Sequence, residues 1–552
     1  MARAYLGRYD NQPDKIQEAF RALWTEPPPF VALDAETVSL KNRRVLGVGI
    51  ASPVGDAFYF DWDEPEFPYH LLMPSPIKKI WHNATFDLSW EVLGRWGADI
   101  DNIEDTAIIT RLMNIPTRLE EAAFYTQHNT QSAPSLLAKY KVKNMDELPW
   151  EALANKCLQD VQVTLDLYTK YRSQVSDEYY EVERKICSML LHMSHRGIKL
   201  DKELVNLIDH ELENNTRFYV STCKDLGFNP HAPAEVGYVL GAQGVVLPFN
   251  RKRTQPIVDK NVLEQVDHPW AALTLLARKY NSLYKRVHKW KGKDRAYGHF
   301  HMEAATPRIT SEKENLHNLP TGQRPGDIVP SAGPVRRVFL PDADKFTVYD
   351  LSQIELRVLQ YLSGDKYMGR ILSLPKNQGG DIHIATQIEL GLPSKVMAKN
   401  FNFGSIYGGG VEEVSKFTGI RDYDFLRTKQ EQMRHLWPEA FRWIDRQRMQ
   451  GLMDMEVETL YGRKLTLYTE GGRGASDRHI MNCAVNYPIQ GSAAEIFKRG
   501  LIEVNREVPI EDFILNVHDE QLLNGAYTIP KELEWLAGFW TPFEVKYVER
   551  WQ

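Results

Sequence analysis

Asp34 and Glu36 stand two residues apart at the end of the apolar run Phe30-Val31-Ala32-Leu33. On a strand that spacing puts both carboxylates on one face. Asp87, in Asn83-Ala84-Thr85-Phe86-Asp87, and Asp160 complete a set of four. Four carboxylates gathered at one spot repel unless cations neutralise them. The usual solution is a pair of divalent ions about 3.5–4 Å apart, which activates water for phosphodiester hydrolysis. Asp-x-Glu alone recurs by chance, and each acid taken singly reads as a surface or capping residue. The ordered set is the stronger signal.

A second constellation lies in the other half. Asp350, in Tyr349-Asp350-Leu351-Ser352-Gln353-Ile354-Glu355-Leu356-Arg357, ends the apolar run Phe346 to Val348. Asp519 and Glu520 follow Val517-His518 between two apolar stretches, Phe513 to His518 and Glu520 to Leu523, which predict strands around a tight turn. Carboxylates from separate strands of one sheet are what two-metal nucleotidyl transfer needs. Between them Lys395, Lys399, Phe403 and Tyr407 recur every four residues and share one helix face. Cations at one end of such a face meet phosphates, and rings at the other stack near sugar and base. A strand-end acid or an amphipathic helix is the plainer reading of each piece alone.

These residues need elements to hold them. Phe30 to Leu33 and Arg44 to Ile50 predict a β-meander, with helices at Asp105 to Met113 and from Asp160 to Tyr171. Long helices are predicted at Tyr179 to His195, Lys202 to Leu226 and Pro269 to Trp290, and again from about Ile382 to Met453. Lys345 to Tyr349 reads as a strand, and Pro320 to Pro334 as a loop. At 552 residues the chain suits several domains. Hydrophobic residues make up 43%, enough for large cores, which excludes a disordered chain. No apolar run approaches a membrane span, and the segment Met1 to Asp10 has no signal core. Cys157, Cys187, Cys223 and Cys483 form no CxxC pair, which excludes a disulfide scaffold or thiolate zinc site. The net charge of -6 hides a sorting of charge. Residues 1–175 carry 18 Lys+Arg and 24 Asp+Glu, whereas residues 251–310 carry 13 basic and 5 acidic side chains. A basic surface for a polyanion can sit within an acidic molecule.

Taken in order, the motifs resemble those of the family A, polymerase I-like DNA polymerases. Asp350 to Arg357, Lys395 to Gly408 and His518-Asp519-Glu520 match the family's three polymerase motifs. Arg308 in Thr306-Pro307-Arg308, Asp381-Ile382-His383 and Asn486-Tyr487-Pro488-Ile489-Gln490-Gly491 match further ones in the expected order. The N-terminal acids resemble the proofreading 3′–5′ exonuclease domain of the ribonuclease-H-like DEDD class. The resemblance implies an α/β multi-domain chain: an exonuclease domain over 1–175, a thumb over 176–300, a palm over 301–384 and 455–552, and fingers over 385–454. It leaves no room for a 5′-nuclease domain and suits a phage-type enzyme. It implies a monomer in the cytoplasm of a bacterium or infected cell, working on primer-template DNA and deoxynucleoside triphosphates, away from membranes.

Residue by residue, the resemblance makes Asp350 and Asp519 metal ligands with Glu520 in support. Asp34, Glu36, Asp87 and Asp160 become the ligands of the exonuclease site. Each site would take two magnesium ions, or manganese in their place. Lys399 and His383 would contact the triphosphate, as would Lys395 where the family usually has arginine. Glu355 would exclude a ribose 2′-hydroxyl, Phe403 would face the 3′ side of the sugar, and Tyr407 would stack at the template side. Arg308, Asn486 and Gln490 would read the minor groove, and His518 would touch the primer end. Arg278, Lys285 and Arg286 would grip the duplex backbone. Lys156 stands where the exonuclease class has a water-orienting tyrosine. A cation is a poor base, so the expectation is a metal site with weakened hydrolysis, or a silent one. Two other readings use the same residues: a nuclease that has lost synthesis, and a non-catalytic primer-template binder.

Overall fold

The computed structural model describes residues 3–6, 27–53, 56–62, 76–250, 254–302, 304–320, 335–408, 410–467 and 476–551. The loop read at Pro320 to Pro334 falls outside them after Pro320, and so does most of the segment Met1 to Asp10. Of the 251–310 basic stretch, Arg251, Lys252 and Arg253 also fall outside.

The N-terminal unit is built on a six-stranded mixed sheet. Its strands are β1 (Arg3–Leu6), β2 (Phe30–Thr37), β3 (Val45–Ala51), β4 (Asp56–Asp61), β5 (Lys78–Trp81) and β6 (Ile103–Asp105). They lie in the order β1-β4-β3-β2-β5-β6. The meander β2-β3-β4 is antiparallel, while β5 joins β2 and β6 joins β5 in parallel. Helix α1 (Trp150–Tyr171) packs on β2, β3 and β4. Gly49 of β3 lies opposite Asp34, and a Cβ there would come within 2.8 Å of the Cys157 sulfur. Glycine at that position lets α1 approach the sheet closely. The helix starts ten residues before the expected Asp160, so Lys156, Cys157 and Asp160 ride on one element.

Helix α2 (Asp177–Arg196) lies between the two units. The Tyr180 hydroxyl, fully buried, accepts a hydrogen bond from the Asp105 N–H at 2.9 Å on the N-terminal side. On the other side Glu183 enters a buried ion network described below. Helices α3 (Lys202–Asp225) and α4 (Pro269–Val287) then form a long antiparallel pair, with Tyr219 and Tyr280 stacked at 5.2 Å. Asp201 starts α3 by accepting from the Leu204 N–H, and Pro269 at the first turn starts α4. The far end of this pair has its own small core, including Phe228, Val236, Leu240 and Leu263, separate from the main one.

The C-terminal unit centres on an antiparallel sheet of β7 (Phe346–Leu351), β8 (Phe513–Val517), β9 (Glu520–Asn524) and β10 (Phe543–Val548), in the order β8-β9-β7-β10. Around it run α5 (Ile354–Ser363), α6 (Ile382–Leu390), α7 (Lys395–Phe403), α8 (Pro438–Asp454) and α9 (Asp477–Val504). A π-helical turn, Gly404–Gly408, continues α7. All four cysteines are buried and free. No helix among the described residues is long and apolar enough to cross a membrane.

Glu183 of α2 ties this unit to α2. It accepts from Arg463 Nη1 at 2.8 Å and from Lys498 Nζ of α9 at 2.7 Å, and all three side chains are 5% exposed or less. Burial pushes Glu183 up, but Lys498 and Arg463 overcome this and hold it at about 2. Burial lowers the Lys498 ammonium to about 8, still charged at neutral pH.

Candidate active site

The C-terminal acids meet at one end of the four-stranded sheet. Asp350 is the second-last residue of β7, and the β8–β9 turn carries Asp519 beside it. The Leu351 N–H donates to the Asp519 carbonyl at 3.2 Å, locking the turn to the end of β7. His518 takes φ 59°, a left-handed conformation rare outside glycine, and so lets the chain reverse in two residues. Register places Asp350 directly opposite Glu520 on one neighbour and Glu544 on the other. Burial, then Asp519, Glu520 and Glu544, raise the Asp350 carboxyl to about 7, with Lys376 the opposing charge. Burial likewise raises Asp519 and Glu520, and Glu520 is held by a 2.8 Å bond from Trp551 Nε1. A buried oxygen-only donor set crowded with negative charge suits a hard divalent cation.

The predicted helix face forms beside it. Phe403 and Tyr407 stack at 5.9 Å, and His383 lies 5.7 Å from Phe403. Lys399 is exposed on this face and close enough to Asp519 to lower its carboxyl. Burial lowers His383 to about 4, so in the unliganded protein the ring is neutral at neutral pH. Asn402 and His383 hydrogen-bond at 3.0 Å, and Asn402 also donates to Thr386 at 3.1 Å. Asn402 therefore orients His383, a role the sequence reading missed although it lies one residue before Phe403. Gln353 bonds the Ile382 N–H and the Gly380 carbonyl, fixing α6 to the start of α5.

Glu355 sits between two partners. It pairs with the Arg308 guanidinium and accepts from the Tyr407 hydroxyl at 2.7 Å. Arg308, Glu355, His518 and Asp519 line one small cavity of about 50 Å³. Asn486 and Gln490 lie on α9 and are half-buried. Lys395 is 2.6 Å from Asp381, which also caps α6, so its charge is already partnered.

Arg278 departs from expectation. Its guanidinium donates to the backbone carbonyls of Pro230 at 2.6 Å and of Val258, so it braces loops beside α4 instead of facing outward. Arg286 is half-buried and donates to the Asn318 carbonyl at 2.8 Å, while Lys285 is exposed.

In the N-terminal unit Asp34 and Glu36 lie on β2 and Asp160 on α1, and Asp87 reaches back so that the Ala35 N–H donates to it at 3.0 Å. The Cys157 thiol joins them: its sulfur and oxygens of Asp34 and Glu36 lie within 4.8 Å of one another. Burial and neighbouring acids raise Asp34, burial raises Glu36, and burial holds Asp87 at about 8. Lys156 points into the cluster, 2.8 Å from Glu36 Oε1 and 2.6 Å from Asp160 Oδ2. Burial works to lower its ammonium, but Asp160, Glu36 and Asp34 overcome this and hold it well above its usual value.

The profile described as DNA polymerase family A matches residues 200–534. The chain belongs to DNA polymerase family A. This family A chain is 30% identical over 405 residues to the thermostable DNA polymerase I of Thermus filiformis, covering 68% of the chain and 47% of that protein. It is 28% identical over 485 residues to DNA polymerase I of Chloroflexus aurantiacus, covering 80% and 50%. The family A chain thus spans about half the length of the curated relatives it matches. Its fold is similar to that of the POL domain of Pol1 from M. smegmatis, solved in complex with DNA primer-template and dNTP, with a TM-score of 0.73, 20% identity and 99% of each chain covered.

Proposed function

We propose that this family A chain is a template-directed DNA polymerase that extends a primer 3′ end with deoxynucleotides, and that its N-terminal unit is of the ribonuclease-H-like 3′–5′ exonuclease type. The observation that carries the reading is the placement of Asp350 and Asp519 at one sheet end, beside a helix face bearing Lys399, Phe403 and Tyr407. Asp350 and Asp519 would hold divalent ions, with Glu520 in support. Such ions, when bound, supply activation of the primer hydroxyl and charge for the triphosphate leaving group. Lys399 and His383 would orient the triphosphate, and Tyr407 and Phe403 would pack against base and sugar. The α3–α4 pair would serve as thumb, the β7–β10 sheet as palm, and α7 and α8 as fingers.

A 5′-labelled primer-template with magnesium and deoxynucleotides tests this. Full-length product is expected. Absence of extension would overturn the reading and leave a nuclease or a binder.

Glu355 would serve as the sugar gate, since it lies over the cavity shared with Asp519. Changing Glu355→Ala removes that bulk and is expected to raise ribonucleotide incorporation about 10- to 200-fold relative to deoxynucleotides. Competition assays with paired triphosphates would measure it, and an unchanged ratio would sink the assignment.

For duplex binding, Lys285→Ala is expected to reduce the slope of log affinity against log salt by about 1. Arg278→Ala is expected to leave that slope unchanged, because Nε and Nη1 are bonded to the Pro230 and Val258 carbonyls and hold the guanidinium against the protein. Equal slope changes for the two variants would restore Arg278 to the duplex.

A further inference from the structure

The two carboxylate clusters differ in one respect that bears on chemistry. Among the described residues no cation is ion-paired to Asp350 or Asp519, and Lys376, the charge opposing Asp350, is bonded to Glu544. In the N-terminal cluster every carboxylate already has a protein donor. Asp160 has Lys156 on one oxygen and the Thr130 hydroxyl on the other. Glu36 accepts from Lys156 at 2.8 Å, Asp87 from the Ala35 N–H at 3.0 Å, and Asp34 from the Cys157 thiol at 3.5 Å.

Lys156 and Asp160 lie one turn apart on α1, so the helix itself aims the ammonium at the acid. Glu36 reaches it from the facing strand. The ammonium is enclosed, with Lys156 only 9% exposed. A magnesium ion on the same two oxygens would need contacts of about 2.0–2.1 Å and would stand within roughly 4 Å of the ammonium, where like charges repel. An ammonium satisfies the carboxylates, yet it has no open coordination position on which water could be acidified. With Lys156 in place, these residues do not fit a catalytic metal pair.

We propose that Lys156 is the resident counter-cation of the N-terminal cluster, standing between Glu36 and Asp160 where a divalent ion would bridge them, and that this unit takes no catalytic metal and removes no nucleotides. The proposal rests on reading the unit as exonuclease-type, and its test is independent of synthesis.

The experiment is Mn2+ titration, followed by electron paramagnetic resonance, of the full chain carrying Asp350→Asn and Asp519→Asn to silence the C-terminal site. With Lys156 present, no tight Mn2+ class is expected. Lys156→Tyr and Lys156→Met, in the same background, are expected to gain one that Asp34→Asn removes. A tight class in the Lys156 chain that Asp34→Asn abolishes would overturn the proposal. So would folded Lys156 variants that gain no Mn2+. Should both variants fail to fold, the titration of the Lys156 chain with and without Asp34→Asn still decides. In the chain with Asp350 and Asp519 restored, a mismatched primer is expected to shorten no faster than in the Asp34→Asn variant. Lys156→Tyr is expected to speed shortening by ~100-fold or more. Extension of a matched primer, measured separately, reports on the polymerase reading alone.

Discussion

Asp350→Asn is expected to lower primer extension by ~10³-fold or more and, in chelator, to raise the melting temperature. The two effects have one origin. Asp350 faces Glu520 on one neighbouring strand and Glu544 on the other, with Asp519 at the adjoining turn. Like charges directly opposite each other weaken a sheet, by about 1 kcal/mol for a pair. Asparagine keeps the shape and removes the charge, so the sheet gains. The same charge is what would fix divalent ions, and a factor of ~10³ in rate corresponds to about 4 kcal/mol of lost transition-state stabilisation. Single-turnover extension and thermal unfolding with and without magnesium check both halves. A rate loss below tenfold would remove Asp350 from the proposed ligand set. A fall in melting temperature would show that the carboxylate is held by contacts rather than strained by neighbours.

Glu183→Gln is expected to destabilise the protein by about 3–5 kcal/mol while altering none of the proposed metal ligands. The substitution leaves Arg463 and Lys498 buried with their anionic partner gone, and such orphaned charges are the costly half of a broken buried pair. Acid should imitate it. Glu183 is held at about 2 against an ordinary 4.5, so the folded state favours its charged form. Its contribution, on the order of 3 kcal/mol, is complete above pH 4.5 and is lost as pH falls towards 2. Thermal unfolding across that range should show the wild-type chain losing stability that the Gln variant never had. Parallel curves would place the network's worth elsewhere. Because α2 contacts both units, the first transition on heating is the one expected to move.

Much of the polymerase-like site was legible because its residues are close in sequence or carry a short periodicity. The four-residue repeat from Lys395 to Tyr407 forms a helix and its continuing turn, and the alternating apolar runs around His518-Asp519 form two strands. Long-range pairings were not legible. Glu183 lies 280 residues from Arg463 and 315 from Lys498, and no local pattern joins them. Arg278 looked like part of a basic surface because charge alone says nothing about which carbonyls lie nearby. Lys156 is the instructive case. Reading the helix from Asp160 hid the fact that Lys156 is on the same helix, four residues earlier. The i, i+4 spacing of a cation and an acid was the available signal. It needed the correct helix start, which Pro149 at the helix cap marks.

The chain of contacts from Arg308 through Glu355 to Tyr407 bears on how affinity is divided. In the resting protein these three groups satisfy one another. In the proposed reaction, an arriving deoxynucleotide and primer end would trade partners with them rather than add new ones. Such an exchange returns little net binding energy, because bonds are broken as others are made. Tightness of binding would then come from the triphosphate end, at Lys399 and His383, and choice of sugar from the shape left when Glu355 is displaced. A substitution could relax selection while leaving the grip on the nucleotide intact.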